Sequence, residues 1–270
     1  MNFIKRNIPN AITCGNLLCG CLAIVKSFEG NLVWAAYLVG IAAVLDFFDG
    51  FTARMLKVSS PIGKDLDSLA DMVTFGVVPG IVMFQMVNFS MAGAIGTHTA
   101  FNFIKFYQDA PTFLPYMAFI IPVFSAIRLA KFNNDLRQSE SFIGFPTPAN
   151  AIMICSFPLV YMYRLEQLIF NPAIFSTIKS DFIFDCFINP YTLIVISIVL
   201  SLLLVSELPL FSLKFKHFKW KGNEIRFVFL LSAITLLVLL KFVGIPLIIV
   251  LYILLSLISN IINKKKNTSV

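Results

Sequence analysis

The sequence predicts an all-α, polytopic membrane bundle of about eight transmembrane helices with both termini in the cytoplasm. Three observations predict it. Of 270 residues, 58% are hydrophobic and only 13% charged, against roughly 25% charge in a soluble domain. Mean hydropathy is +0.86, and phenylalanine alone numbers 29, more apolar surface than one water-soluble core of this length hides. Apolar runs of about the 20 residues that a bilayer requires recur from end to end. A soluble globular fold is excluded.

The first run, 8–28, is interrupted early by Pro9, Asn10, Thr13 and Asn16 and leads directly into a second. A cleavable signal peptide is therefore not expected, and the segment stays as a helix. After Glu29-Gly30 comes 31–53, and after the polar stretch 56–64 comes 66–88. Further runs lie at 113–134, 148–165, 189–206, 226–243 and 245–262, the last two parted only by Gly244-Ile245-Pro246. They read as one transmembrane domain over 1–270. With the N-terminus inside, sixteen of the 21 lysines and arginines fall on the cytoplasmic side, leaving Lys26, Lys105, Arg164, Lys179 and Lys241 outside. That bias sets the orientation. The net charge of +7 is thereby topological, and no nucleic-acid partner is expected. The basic stretch 214–226 and Lys264 to Lys266 are topology anchors that also suit anionic lipid. Cys14, Cys19, Cys21, Cys155 and Cys186 show no metal-ligand pairing and read as small core-like residues. His98 and His217 receive no role.

Carboxylates at a membrane edge are costly and mark function where they gather. Of 14 acidic residues, five (Asp46, Asp49, Asp65, Asp67 and Asp71) fall between positions 46 and 71, at the cytoplasmic ends of the second and third helices. On a helix Asp46 and Asp49 share a face, as do Gly63, Asp67 and Asp71, and the short connection brings the two faces together. Asp65 points elsewhere, about 200° round from Asp67. Four like charges in one small volume call for a cation, and an all-oxygen donor set favours a hard divalent ion such as Mg²⁺, Mn²⁺ or Ca²⁺. Gly50 and Ala53 leave room for a ligand near the backbone, and Arg54 suits a phosphate. A salt-bridged helix end in a channel or an ion-coupled transporter is the competing reading. Coupling sites, however, sit near the bilayer midplane, whereas these aspartates cluster at one end.

The series Asp46-x₂-Asp49-Gly50-x₂-Ala53-Arg54-x₈-Gly63-x₃-Asp67-x₃-Asp71 resembles the signature of the CDP-alcohol phosphatidyltransferases at every fixed position. Three further stretches resemble the branch of that family that uses serine as acceptor. They are Pro9 to Thr13 with Asn16 and Gly20, the run Asp67 to Pro79, and Arg128 to Asn133 followed by Phe142 to Pro148. Beyond about residue 165 only hydropathy is shared, so the resemblance places the catalytic core in 1–165 and leaves 166–270 as C-terminal helices.

The resemblance implies transfer of the phosphatidyl group of CDP-diacylglycerol to the hydroxyl of L-serine, with release of CMP. It implies that Asp46, Asp49, Asp67 and Asp71 hold two divalent ions, Mg²⁺ or Mn²⁺, and that Asp71 also serves as base. Asn10, Thr13, Gly50, Ala53, Arg54 and Gly63 would line CDP and its phosphates. Polar helix–helix contact is the plainer reading of Asn10 and Thr13. A homodimer in a prokaryotic inner membrane, its site facing the cytoplasm, is also implied. Serine brings a carboxylate, for which Arg128 is the candidate, with Asn133 as helper. Arg128 as a topology anchor, and glycerol 3-phosphate or inositol as acceptor, remain the alternatives.

Overall fold

In the computed structural model, residues 3–58, 61–92, 110–134, 142–170, 188–211, 220 and 223–268 are described. Cys186, His98, His217, Arg137 and most of the basic stretch after residue 211 lie outside them. The described chain is helical throughout except for one two-stranded pairing. In order come α1 (Phe3–Phe28), α2 (Leu32–Leu56), α3 (Pro61–Asp71), a π-helical turn (Met72–Val77) and α4 (Val78–Met91). A 3₁₀ turn (Leu114–Phe119) leads into α5 (Ile120–Asn134), then β1 (Phe142–Ile143), α6 (Thr147–Phe170) and α7 (Pro190–Val205). β2 (Pro209–Leu210) precedes α8 (Glu224–Leu240), a 3₁₀ turn (Lys241–Val243) and α9 (Gly244–Thr268).

Local chemistry sets several of these ends. Gly30 turns the chain at φ +77, and the Asn31 side chain accepts from the Trp34 amide to cap α2. Asn189 caps α7 by accepting from the amides of Tyr191 and Thr192, with Pro190 in the first turn. α1 buries Pro9, Thr13, Asn16, Gly20, Ala23 and Ser27, a stripe of small and polar side chains at the 3.6-residue period. Its large apolar residues Leu18, Leu22 and Val25 face outward. That inversion of the soluble pattern recurs along α2 and α8, where Val44, Phe47, Leu231 and Val238 are all more than half exposed, and it suits a surface solvated by lipid. Cys14 and Cys21 also face outward; among the described cysteines Cys155 is buried and Cys19 half-buried against the core, as expected, and the other two are not.

Each of the eight apolar runs falls on a helical stretch. Among the described residues, five stretches are long and apolar enough to cross a membrane: Asn7–Phe28, Leu32–Leu56, Ile62–Met91, Leu114–Asn134 and Glu224–Ile261. The last contains both α8 and α9. Lys241 adopts φ +49, and a Cβ on Gly244 would sit 2.7 Å from the carbonyl of Leu236, eight residues earlier. No straight helix brings such residues together, so the chain doubles back there. α7 spans only 16 residues.

Two packed layers share α4 and α6. One joins Ala23 of α1, Ala35, Val39 and Ala42 of α2, Phe75 of the π-helical turn and Cys155 of α6. The other joins Met83 of α4, Ile121 of α5, Ile154 and Phe157 of α6, and Leu193, Leu200 and Leu204 of α7. β1 pairs antiparallel with β2, Phe142 opposite Leu210. The C-terminal half is thereby stitched to the loop before α6, and Asn260 of α9 donates to the Pro209 carbonyl at 2.6 Å.

α3 through α4 runs antiparallel to α5 at close range because glycines face it. A Cβ on Gly80 would lie 2.7 Å from Cδ of Pro122, and one on Gly76 would lie 3.1 Å from Cβ of Ser125. Gly40, in the middle of α2, has open space around its Cα. The proline ring has no rotamer to retreat into, so Gly80→Ala should destabilise the protein by about 1–3 kcal/mol. Gly40→Ala should leave it unchanged or stabilise it by up to about 1 kcal/mol. Thermal unfolding of the two variants in one detergent checks the contrast, and equal Tm values would contradict this packing.

Candidate active site

α2 ends in a left-handed cap at Lys57, φ 52, whose amide reaches back to the carbonyls of Ala53 and Arg54. The chain then turns, and Pro61 opens α3. This brings the Asp46 and Asp49 face of α2 against the Asp67 face of α3. One carboxylate oxygen from each of Asp46, Asp49 and Asp67 lies within 4.8 Å of the others. Asp71 stands outside that trio, and its carboxyl meets that of Asp46. Asp65 is exposed, as its position on the wheel predicts.

α1 supplies the neutral partners of these acids. Thr13 Oγ1 donates to Asp49 Oδ2 at 2.7 Å, and Asn16 Nδ2 donates to Asp71 Oδ1 at 3.3 Å. Asn16 is in turn anchored through its backbone, since Thr74 Oγ1 of the π-helical turn donates to its carbonyl at 3.2 Å. Gly20 makes this possible, as any Cβ there would collide with Thr74. Among the described residues no lysine or arginine forms an ion pair with the four carboxylates. Three oxygens within 4.8 Å, without nitrogen or sulfur donors, fit a hard divalent cation, whose opposed oxygen ligands stand about 4–5 Å apart.

Beside the trio opens a pocket of about 260 Å³ lined by Pro9, Asn10 and Thr13 of α1, Asp49, Gly50 and Ala53 of α2, Val58, and Gly63, Lys64 and Asp67 of α3. Six residues singled out in the sequence for metal or nucleotide share it with Asn10: Thr13, Asp49, Gly50, Ala53, Gly63 and Asp67. Arg54 is exposed and does not line it. A Cβ on Gly50 would lie 3.6 Å from Arg54 Nη1, so the guanidinium crosses the bare Gly50 backbone beside the pocket. Arg128 and Asn133 do not converge there. Arg128 is buried on α5 beneath Gly144, with its guanidinium carbon 5.6 Å from the Phe132 ring centroid. Asn133 donates to Ser68 Oγ at 2.8 Å and accepts from Lys64 Nζ through its carbonyl at 3.2 Å, which ties α5 to α3.

Two site residues escaped the sequence reading in their present roles. Lys64 is, from the sequence, one of the sixteen cytoplasmic basic residues and no more, although it directly follows the Gly63 of the motif. Asn16 enters the sequence reading as a polar break in the first apolar run and within the resemblance, with no site role, although its place between Thr13 and Gly20 at helical spacing marks it as facing the same way.

Residues 6–179 match the family model described as CDP-alcohol phosphatidyltransferase. A CDP-diacylglycerol–serine O-phosphatidyltransferase of Bacillus subtilis is 29% identical over 217 residues, covering 80% of this chain and 94% of that protein. A protein of the same name from Helicobacter pylori is 33% identical over 148 residues, about half the length of each. An archaetidylserine synthase of Methanothermobacter thermautotrophicus is 28% identical over 159 residues, 58% of this chain and 59% of that one. The matched region contains the whole carboxylate trio, its partners on α1 and the pocket beside it, and over that region the chain belongs to the CDP-alcohol phosphatidyltransferase family.

Proposed function

We propose that the chain is a phosphatidylserine synthase that transfers the phosphatidyl group of CDP-diacylglycerol to L-serine and releases CMP. The observation that carries this reading is the oxygen-only trio of Asp46, Asp49 and Asp67 opening onto a pocket built from the family motif. Relatives named for the serine reaction support the choice of acceptor. Glycerol 3-phosphate or inositol in the same chemistry is the second reading.

In this reaction the serine hydroxyl oxygen bonds to the phosphorus that carries diacylglycerol, the bond from that phosphorus to CMP breaks, and the hydroxyl proton leaves. Asp71 receives the proton, held by the amide of Asn16 in a fixed orientation. Asp46, Asp49, Asp67 and Asp71 would hold the two divalent ions, Mg²⁺ or Mn²⁺, which when bound offset charge on the phosphates. Gly50 and Ala53 give the nucleotide access to backbone, with Asn10 and Gly63 also lining the pocket. Arg54, and Lys64 in the pocket lining, supply positive charge to phosphate. Arg128 takes the carboxylate of serine, and Asn133 acts by holding α5 against α3.

The same reading has eight crossings in one transmembrane domain, both termini and the site on the cytoplasmic side of a prokaryotic inner membrane, and a homodimer as the working form. The positive-inside bias supports the orientation.

Asp49→Asn and Asp67→Asn should each abolish serine-dependent CMP release in protein that still unfolds cooperatively, and EDTA should do so reversibly. Activity that survives exhaustive chelation would overturn the metal assignment. Arg128→Ala should raise the KM for serine ten- to a hundredfold, about 1.5–3 kcal/mol for a charge-assisted contact, with the KM for CDP-diacylglycerol unchanged. A common rise in both would move Arg128 to the phosphate site. A cysteine introduced by Lys57→Cys, in a chain with its native cysteines replaced, should react with impermeant reagent only from the cytoplasmic face. Labelling of intact cells would reverse the orientation.

A further inference from the structure

Three contacts give the register of α5 against α3 through α4: Asn133 with Ser68, Ser125 with Gly76 and Pro122 with Gly80. Between the first two, that register sets Arg128 level with Val73, two residues past Asp71. Ile121, Ser125 and Arg128 share one face of α5 at i, i+4 and i+7, and Ile121 packs in the layer built with Ile154, Phe157, Leu200 and Leu204. Asn150 lies on the Ile154 and Phe157 face of α6. Ser201 lies one turn before Leu204 on α7. Gly144 joins these elements, since a Cβ there would lie 3.5 Å from the Arg128 guanidinium carbon and 3.1 Å from the Leu204 carbonyl oxygen. Ser125, Arg128, Asn150 and Ser201 therefore gather at one end of a single apolar layer, against the turn that follows Asp71.

Buried polar side chains are almost always hydrogen-bonded. Here Ser125 Oγ, Asn150 Nδ2, Asn150 Oδ1 and Ser201 Oγ have no partner, on residues that are all 0% exposed. The one other such atom among the described residues is Asn16 Oδ1, on the amide that holds Asp71. An apolar layer gains nothing from four unmet donors and acceptors. A small ligand carrying charges of both signs would satisfy them.

We propose that Ser125, Asn150 and Ser201, with Arg128, bind the acceptor, a small hydroxy amino acid in its zwitterionic form whose hydroxyl is turned toward Asp71. This rests on the phosphatidyl-transfer reading above. The guanidinium and Asn150 Nδ2 donate to the carboxylate, and Asn150 Oδ1 with the two hydroxyl oxygens accepts from the ammonium. An uncharged polyol offers neither end.

The test uses the full chain in detergent with CDP-diacylglycerol and Mg²⁺ or Mn²⁺, titrating serine and 3-hydroxypropionate, which keeps the hydroxyl and the carboxylate and lacks the ammonium. Asn150→Leu should raise the KM for serine at least tenfold, leave that for CDP-diacylglycerol within twofold, and shrink the preference for serine over 3-hydroxypropionate. Ser125→Ala and Ser201→Ala, which remove one oxygen each and leave the helices intact, should act in the same direction by severalfold. A KM for serine within twofold of wild type in all three variants overturns the assignment, as does a joint rise in both KM values. Wild type that releases CMP with another alcohol and not with serine overturns the serine reading itself, a result separate from any variant.

Discussion

Helix α1 donates one hydrogen bond to each of the two acidic helices, Thr13 to Asp49 and Asn16 to Asp71, and the rest of the site depends on that clamp. Carboxylates packed inside a bundle cannot rely on bulk water, so each needs donors supplied by the protein. α1 can approach closely enough only because its inner face is made of small and polar residues. Thr74 completes the arrangement by bonding the Asn16 backbone, and the bare Gly20 leaves space for it. The acids are thus held by neutral groups that orient them without cancelling their charge, which leaves that charge available for a cation.

The π-helical turn at Met72–Val77 has its place in the same arrangement. Wider turns of this kind gather at functional sites, where they re-aim side chains within a continuing helix. Here the turn begins one residue after Asp71 and carries Thr74 toward α1, Phe75 into the core and Gly76 toward α5. One irregularity therefore joins the acid, its clamp and the helix that bears Arg128.

Much of this was legible in the sequence, for definite reasons. Apolar runs locate helices in a membrane protein because backbone polar groups there must be satisfied within the helix. The i, i+3 and i, i+4 spacings of the aspartates placed Asp46, Asp49 and Asp67 correctly, since α2 and α3 are regular where those residues lie. Asp71 sits at the last residue before the wider turn, and it adjoins the trio through the Asp46 carboxyl without being one of the three mutually close acids. The partnership of Asn133 with Ser68 and Lys64 was not legible, because it depends on the register of two helices distant in sequence. Nor were the turned-out Cys14 and Cys21, since small residues on a lipid-facing helix carry no directional signal.

The pairing of β1 with β2 has a consequence for the order in which the molecule is made. The Gly144 amide bonds to the Leu208 carbonyl, and that of Phe145 bonds to the Leu203 carbonyl, so the loop over Arg128 takes its backbone partners from a part of the chain synthesised later. Everything that forms the carboxylate trio and its clamp is complete by residue 77. A nascent chain thus carries an assembled acidic centre well before the other wall has its cover. Completion waits for the C-terminal helices to arrive, which makes them the closing step of biogenesis.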